Sequence, residues 1–217
     1  DAVSNRGCAG ALGSSSSRKR ERGDRAARFG DEGGHIVIQL ILVRHAKSDW
    51  GNPGLADHDR PLNQRGQANA PMMADRLLAA GVTVDQIHSS TAVRARTTAE
   101  VFGAALGEMV QLDPGMYLAS GSALLAKAAE AGARSVMLVA HDPGITDLAA
   151  RLSDGGITHM PTCAVARFAW NAQDWDAERW ADVGTRSADK WSLDTVNPKH
   201  PRLPQTVRRS RDALPRH

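Results

Sequence analysis

Hydrophobic positions along the chain follow two rhythms in turn. IVIQLILV (Ile36 to Val43) is a run of β-branched and large aliphatic residues without polar alternation, which predicts a central strand covered on both faces. In NQRGQANAPMMADRLLAAG the apolar residues Met72, Met73, Leu77 and Leu78 recur near the helical period, predicting a helix closed by Gly81. Pro71 lies inside that pattern, so the helix either begins near Pro71 or kinks there, because proline lacks the N–H donor and crowds the preceding turn. DQIHSS reads as a short strand. TAVRARTTAEVFGAALG reads as a helix with Thr91 as N-cap and Val93, Thr97, Val101 and Leu106 on its apolar face. SALLAKAAEAG predicts a further helix, SVMLVAHD a strand that passes abruptly from aliphatic residues to a histidine, PGITDLAARLSDG a helix, and CAVARFAW an alternating strand. This succession predicts an α/β fold, a three-layer sandwich with a mainly parallel central sheet.

The flanks lack either rhythm. Residues 1–34 combine a serine run, scattered charge and many glycines, and are read as a disordered N-terminal extension, because they bury too little apolar surface to offset their ordering entropy. Residues 183–217 mix prolines with arginines and are read as a disordered basic tail. The folded domain is therefore expected at 35–182.

Charge follows the same partition. Residues 1–34 carry 7 basic against 5 acidic side chains, 35–180 carry 12 against 15, and 181–217 carry 8 against 4. The excess behind the formal net charge of +3 thus sits in the flanks, and the mildly acidic body implies no basic groove. With aromatics at 4%, a stacking platform for nucleic acid is not expected either. Cys8 and Cys163 stand far apart, which gives no disulfide framework and no thiolate metal site and fits a reducing, cytoplasmic setting. No apolar run approaches the roughly 20 residues a spanning helix needs, so no membrane partner is expected.

Two strands run straight into charge. The first delivers Arg44 and His45, the later one His141, and the junction after DQIHSS delivers Ser90 to Arg94. Open α/β sheets bind ligands outside the carboxyl ends of their strands, so Arg44, His45, Arg94 and His141 are expected to share one crevice. Two guanidiniums can grip a phosphoryl group through paired donors, while one imidazole attacks phosphorus and the other steadies the equatorial oxygens. Lys47 and Ser48 in the following loop either donate to phosphate or face solvent, and Arg60 either touches substrate or pairs with Asp59. His35, His88 and His159 have no such company and are read as structural or solvated. Arg96 is read as a surface charge.

LVRHAKSDW, SSTAVRARTTAE and LVAHDPGITDLAARL together resemble the three signature segments of the histidine phosphatase superfamily, whose fold is that of the phosphoglycerate mutases. The resemblance runs from about Ile38 to Trp170. The short chain, Ala46 after the Arg-His pair and DHDRPLNQRG make it similar to the small phosphohistidine phosphatase branch. What the resemblance implies is His45 as nucleophile, Arg44 and Arg94 as phosphate clamp, His141 completing the pocket, and neither metal nor other cofactor. The family's usual glycine after the Arg-His pair is Ala46 here, and no glutamate aligns with the general acid of the superfamily's esterases. Asp57 and Asp59 are candidates for that role, Asp142 a weaker one. A leaving group that accepts a proton readily, such as the imidazole of phosphohistidine, depends less on such an acid. The expected substrate is therefore phosphohistidine in a partner protein. The alternatives are a phosphatase for nucleotides, polyphosphate or small phosphate esters, and a non-catalytic phosphate-binding module.

Overall fold

A computed structural model describes residues 36–172, 187–197 and 205–206 of the 217-residue chain. Its strands are β1 (Ile36–Arg44), β2 (Gln86–Ser90), β3 (Val110–Asp113), β4 (Ser135–Ala140), β5 (Val165–Ala172), β6 (Lys190–Asp194) and β7 (Gln205–Thr206). The helices are α1 (Gln64–Ala79), α2 (Val93–Leu106), α3 (Gly121–Glu130) and α4 (Gly144–Leu152), with 3-10 turns at Asp57–Asp59 and Pro114–Met116.

The strands form one sheet in the order β3-β2-β4-β1-β5-β6-β7. β1, β2, β3 and β4 are mutually parallel, while β5 runs against β1, β6 against β5 and β7 against β6. Five of the seven strands therefore point the same way, and the expected mainly parallel sandwich is what the chain forms.

Period-two side chains divide the core. Leu40 and Leu42 of β1 join Val136 and Leu138 of β4 and Phe168 of β5 under α3 and α4, which contribute Leu124, Ala128, Ile145 and Leu148. Ile41 and Val43 point the other way, to Met137 and Val139 and to Met73, Leu77, Ala95, Ala99 and Phe102 of α1 and α2. β1 is buried on both faces because every second residue is needed by each helical layer.

Local detail departs from the sequence pattern in four places. α1 starts at Gln64, seven residues before Pro71, behind the Asn63 cap, whose side chain accepts from Gly66 N. Pro71 lies on its exposed side. The C-terminus is closed as expected: Gly81 adopts φ 69°, and the N–H groups of Gly81 and Val82 return to the carbonyls of Leu78 and Leu77. Thr91 does not cap α2. Ala92 holds that position, and Thr91 Oγ1 instead meets His58 Nε2 at 2.9 Å. The buried face of α2 includes Arg94, Ala95, Thr98, Ala99 and Phe102, more than a third of a turn from the predicted one, because small residues let the helix lie close to the sheet.

The fourth departure is a correction to the domain boundary. Part of the segment expected to be disordered beyond residue 182 belongs to the sheet, as β6 and β7. Trp191 and Leu193 pack on the α3/α4 side of the core, Ala188 N donates to Leu152 O at 2.8 Å, and Arg76 of α1 reaches Asp194 and the Thr195 carbonyl. Proline and arginine dominate the composition of the whole segment and mask this short apolar insert. The expected extension at 1–34 and the remainder of the tail lie outside the described residues.

Candidate active site

The crevice lies at the carboxyl ends of β1, β4 and β2. His45 N donates to Ala140 O at 3.1 Å, carrying the parallel ladder one residue past β1, while Cys163 N donates to the carbonyls of both Arg44 and His45. Ala46 N donates to Thr98 Oγ1, whose hydroxyl donates to the Arg94 carbonyl. The turn bearing the candidate nucleophile is thus tied to the sheet on one side and to α2 on the other. Alanine at 46 fits this setting, fully buried against the α1/α2 layer.

His45 Nδ1 lies 2.8 Å from Ala46 O. A carbonyl can only accept, so Nδ1 carries the hydrogen of the neutral ring and Nε2 keeps its lone pair. Arg94 Nε approaches that lone pair at 3.3 Å. Burial, joined by the charges of Arg94, Arg44 and Arg60 and opposed by the hydrogen bond to Ala46, lowers the His45 pKa to about 4. The imidazole is therefore neutral and nucleophilic at pH 7. The His141 ring sits 5.0 Å away between centroids, and its pKa is lowered to about 3, first by burial and then by His45 and Arg94. Its Nε2 pairs with Ser90 Oγ at 2.8 Å.

Two nitrogens at this site are buried without a hydrogen-bond partner among the described residues: Arg44 Nε, a donor, and His141 Nδ1. An unpaired buried polar group costs about 1–3 kcal/mol, so both fit a site whose ligand supplies oxygens. Arg44 Nη1, in contrast, is engaged by Met160 O and Asp142 Oδ2.

The loop between β1 and α1 closes over the crevice. Asp57 Oδ2 accepts from Arg94 Nη2 (2.8 Å) and the Tyr117 hydroxyl (2.7 Å), and Oδ1 accepts from Arg60 Nη2 (2.6 Å). Burial pushes the Asp57 carboxyl up, but the hydrogen bonds from Tyr117, Arg60 and Arg94 outweigh it and hold the group well below the ordinary carboxylate range. Arg60 is buried, donates to Ser48 Oγ at 2.8 Å and lies with its guanidinium carbon 3.5 Å from the centroid of the Trp50 ring. It pairs with Asp57, and Asp59 is exposed against His58. Ser48 is buried under Arg60, and Lys47 is half-buried, its carbonyl oxygen accepting from Asn63 N.

Of the expected set, Arg44, His45, Arg94 and His141 converge, Asp57 joins them, and Asp59 stays outside. His88 is buried against Gln86, His159 is exposed, Arg96 faces Glu100 across the surface of α2, and His35 lies outside the described residues. Sequence reasoning missed Tyr117, whose hydroxyl reaches Asp57 and whose ring stands edge-to-face with those of His141 and His58, the centroids 5.4 and 5.1 Å apart. The signal available was that it is the chain's single tyrosine, standing in a segment without periodicity. Cys163 is a buried free thiol whose pKa burial raises to about 12, so it takes no part in the chemistry. Among the described residues no group of three His, Cys, Asp or Glu side chains is gathered as for a metal ion, and no helix is long and apolar enough to cross a membrane.

Comparison with known proteins matches this arrangement. Residues 40–117 fit the family model of the histidine phosphatase superfamily, branch 1. The crystal structure of the candidate phosphohistidine phosphatase SixA from Agrobacterium tumefaciens is 32% identical, with a TM-score of 0.57 over 61% of this chain and 92% of that one. Its counterpart from Nakamurella is 25% identical, with a TM-score of 0.60 over 73% of this chain and 94% of that one. An uncharacterised protein of Picosynechococcus is 30% identical over 131 residues, which span 56% of this chain and 77% of the relative. With its Arg-His pair, second arginine and second histidine gathered at the strand ends of the matching fold, the chain belongs to the histidine phosphatase superfamily, on its small SixA-like branch.

Proposed function

We propose that the protein is a phosphatase that works through a covalent phosphohistidine on His45, needs no metal ion and removes phosphate from phosphohistidine in a partner protein. In this reading the Arg44 and Arg94 guanidiniums and the His141 ring carry the charge that develops on the transferring phosphoryl oxygens. His45 Nε2 attacks phosphorus in line. Its bond to phosphorus forms as the substrate's phosphorus–nitrogen bond breaks, and the electron pair leaves on the substrate imidazole, which departs neutral when its other nitrogen already holds a proton. Water then attacks the phosphoryl group. The bond to Nε2 breaks, the pair returns to the ring, and the water's proton passes to the released phosphate.

One observation favours a phosphorus–nitrogen bond over an ester: none of the three carboxyl groups the sequence offers as acid is placed to protonate a leaving group. Asp57 is held as an anion by two arginines and Tyr117, Asp142 is paired with Arg44, and Asp59 is exposed against His58. An alkoxide needs a proton delivered as it leaves, whereas an imidazole already protonated on its other nitrogen does not. The A. tumefaciens relative, described as a candidate phosphohistidine phosphatase, agrees with this reading. The buried thiol of Cys163 is in keeping with a reducing, cytoplasmic setting, which belongs to the same proposal.

The test is rapid quenching of the full chain with a labelled phosphodonor into alkaline denaturant, where a phosphorus–nitrogen bond to imidazole survives. Label is expected on the peptide bearing His45 and absent from the His45→Ala variant. Equal turnover by wild type and variant would refute the nucleophile. In a substrate panel, phosphohistidine peptides are expected to exceed alkyl phosphates and nucleoside diphosphates in kcat/KM by about a hundredfold, and parity would redirect the assignment to esters.

A further inference from the structure

Arg44 is held by more than its place at the end of β1. Its Nη1 donates to Met160 O at 2.7 Å and to Asp142 Oδ2 at 2.5 Å. The other Asp142 oxygen, Oδ1, accepts from Thr146 Oγ1 at 2.6 Å, and Thr146 Oγ1 accepts in turn from Met160 N at 3.3 Å. These four residues close a ring of hydrogen bonds that joins the end of β1, the turn after β4, the first turn of α4 and the loop before β5. Asp142 follows His141 directly, so the ring is anchored beside the second imidazole.

A guanidinium has two usable edges, and a carboxylate or phosphoryl group takes one of them with two parallel bonds. The ring occupies the Nη1 corner and leaves the opposite edge, Nε with Nη2, for a ligand. Nε on that edge is buried with no acceptor among the described residues. The charge of Arg44 also lowers the His45 pKa, which places this guanidinium within electrostatic reach of the nucleophile.

We propose that Asp142 and Thr146 are positioning residues that fix the Arg44 guanidinium so that its Nε–Nη2 edge faces the phosphoryl group. Neither touches substrate; both act through Arg44. The long side chain of Arg44 would otherwise sample many rotamers, and fixing it in advance removes that ordering cost from binding. The proposal rests on the phosphoryl-transfer reading of the site, but its test is separate, because it reads binding rather than turnover.

Titration calorimetry of the full chain with inorganic phosphate and with orthovanadate supplies that reading. Asp142→Asn is expected to weaken either anion about tenfold in the wild-type background and less than twofold in an Arg44→Ala background, since a residue acting through Arg44 has nothing left to position. Equal weakening in both backgrounds, unchanged affinity or tighter binding would each overturn the proposal. Thr146 gives a second arm that keeps every charge. Thr146→Val is expected to weaken the anions three- to fivefold, and Thr146→Ser to bind within twofold of wild type. If Arg44→Ala does not fold, this pair decides alone, and wild-type affinity in Thr146→Val sinks the idea. A wild-type chain that binds phosphate with this coupling yet turns over no phosphohistidine peptide would overturn the proposed function and leave the positioning role standing.

Discussion

Asp57 meets three donors at once, and its charge state decides what it can do. A carboxyl held below the ordinary range by Tyr117, Arg60 and Arg94 has no proton to give at any working pH. Its expected contribution is to hold the two arginines over the crevice. Asp57→Asn should therefore raise KM for a phosphohistidine peptide about three- to tenfold and change kcat by less than about threefold. A hundredfold loss of kcat at constant KM would instead make it the acid. The histidines give a second expectation at this scale. In the unfolded chain His45 takes up a proton near pH 6.5, whereas in the folded site it does so only near pH 4, and His141 near pH 3. Above pH 6.5 both states hold the rings neutral and neither histidine contributes. As pH falls below 6.5 the unfolded chain binds protons that the folded site refuses, so stability declines, by about 1.4 kcal/mol per pH unit for each such group. Urea unfolding at pH 7, 6 and 5 should show this decline, and a shallower one in His45→Asn. A flat profile across that range would contradict the depressed values.

At the scale of elements, the site depends on how closely α1 approaches the loop after β1. Gly66 stands in the first turn of α1, and a Cβ built there would run into the Lys47 carbonyl oxygen, itself engaged by Asn63 N. Replacing glycine by alanine in an ordinary helix stabilises it by about 1 kcal/mol. Here backbone meets backbone and neither side can rotate away. Gly66→Ala is expected to cost about 1–3 kcal/mol net, measured by urea unfolding, and to weaken phosphate binding with it. Stabilisation would mean that the loop moves freely away from the helix. Such close approaches explain why the elements were more legible than their contacts. Continuous apolar runs locate β1 and β4, alternation locates β5, the helical period locates the four helices, and abrupt ends of apolar runs locate Arg44, His45 and His141. The pattern does not say which face of α2 is buried, because alanine and threonine face the sheet there while Val93 and Val101 lie only partly buried. Nor does it reveal the Tyr117–Asp57 contact or the Asp142–Arg44 pair, since both depend on pairings between segments that no local rhythm encodes.

At the scale of the whole molecule, the sheet continues past the segment that carries the chemistry. β1 to β4, their helices and the loops between them hold every residue of the candidate site, yet β5, the strand after them, runs against β1 and would be an open edge without β6. β6 covers that edge and touches both layers, through Trp191 on the α3/α4 side and through Asp194 and Thr195, bound by Arg76, on the α1 side. Trp191 lies directly over Gly156, where any side chain would strike the indole, so the turn after α4 is shaped to receive it. Because the contact is apolar and only partly buried, Trp191→Ala should cost about 2–4 kcal/mol, toward the lower end of what removing a large aromatic side chain does in a core. Phosphate affinity should stay within about twofold of wild type, because no site residue rests on β6. Urea unfolding paired with phosphate titration checks both halves. An unchanged unfolding midpoint would show that the segment is not docked in solution. Lost affinity in a fully folded variant would show that the antiparallel half of the sheet shapes the site as well as covering its edge.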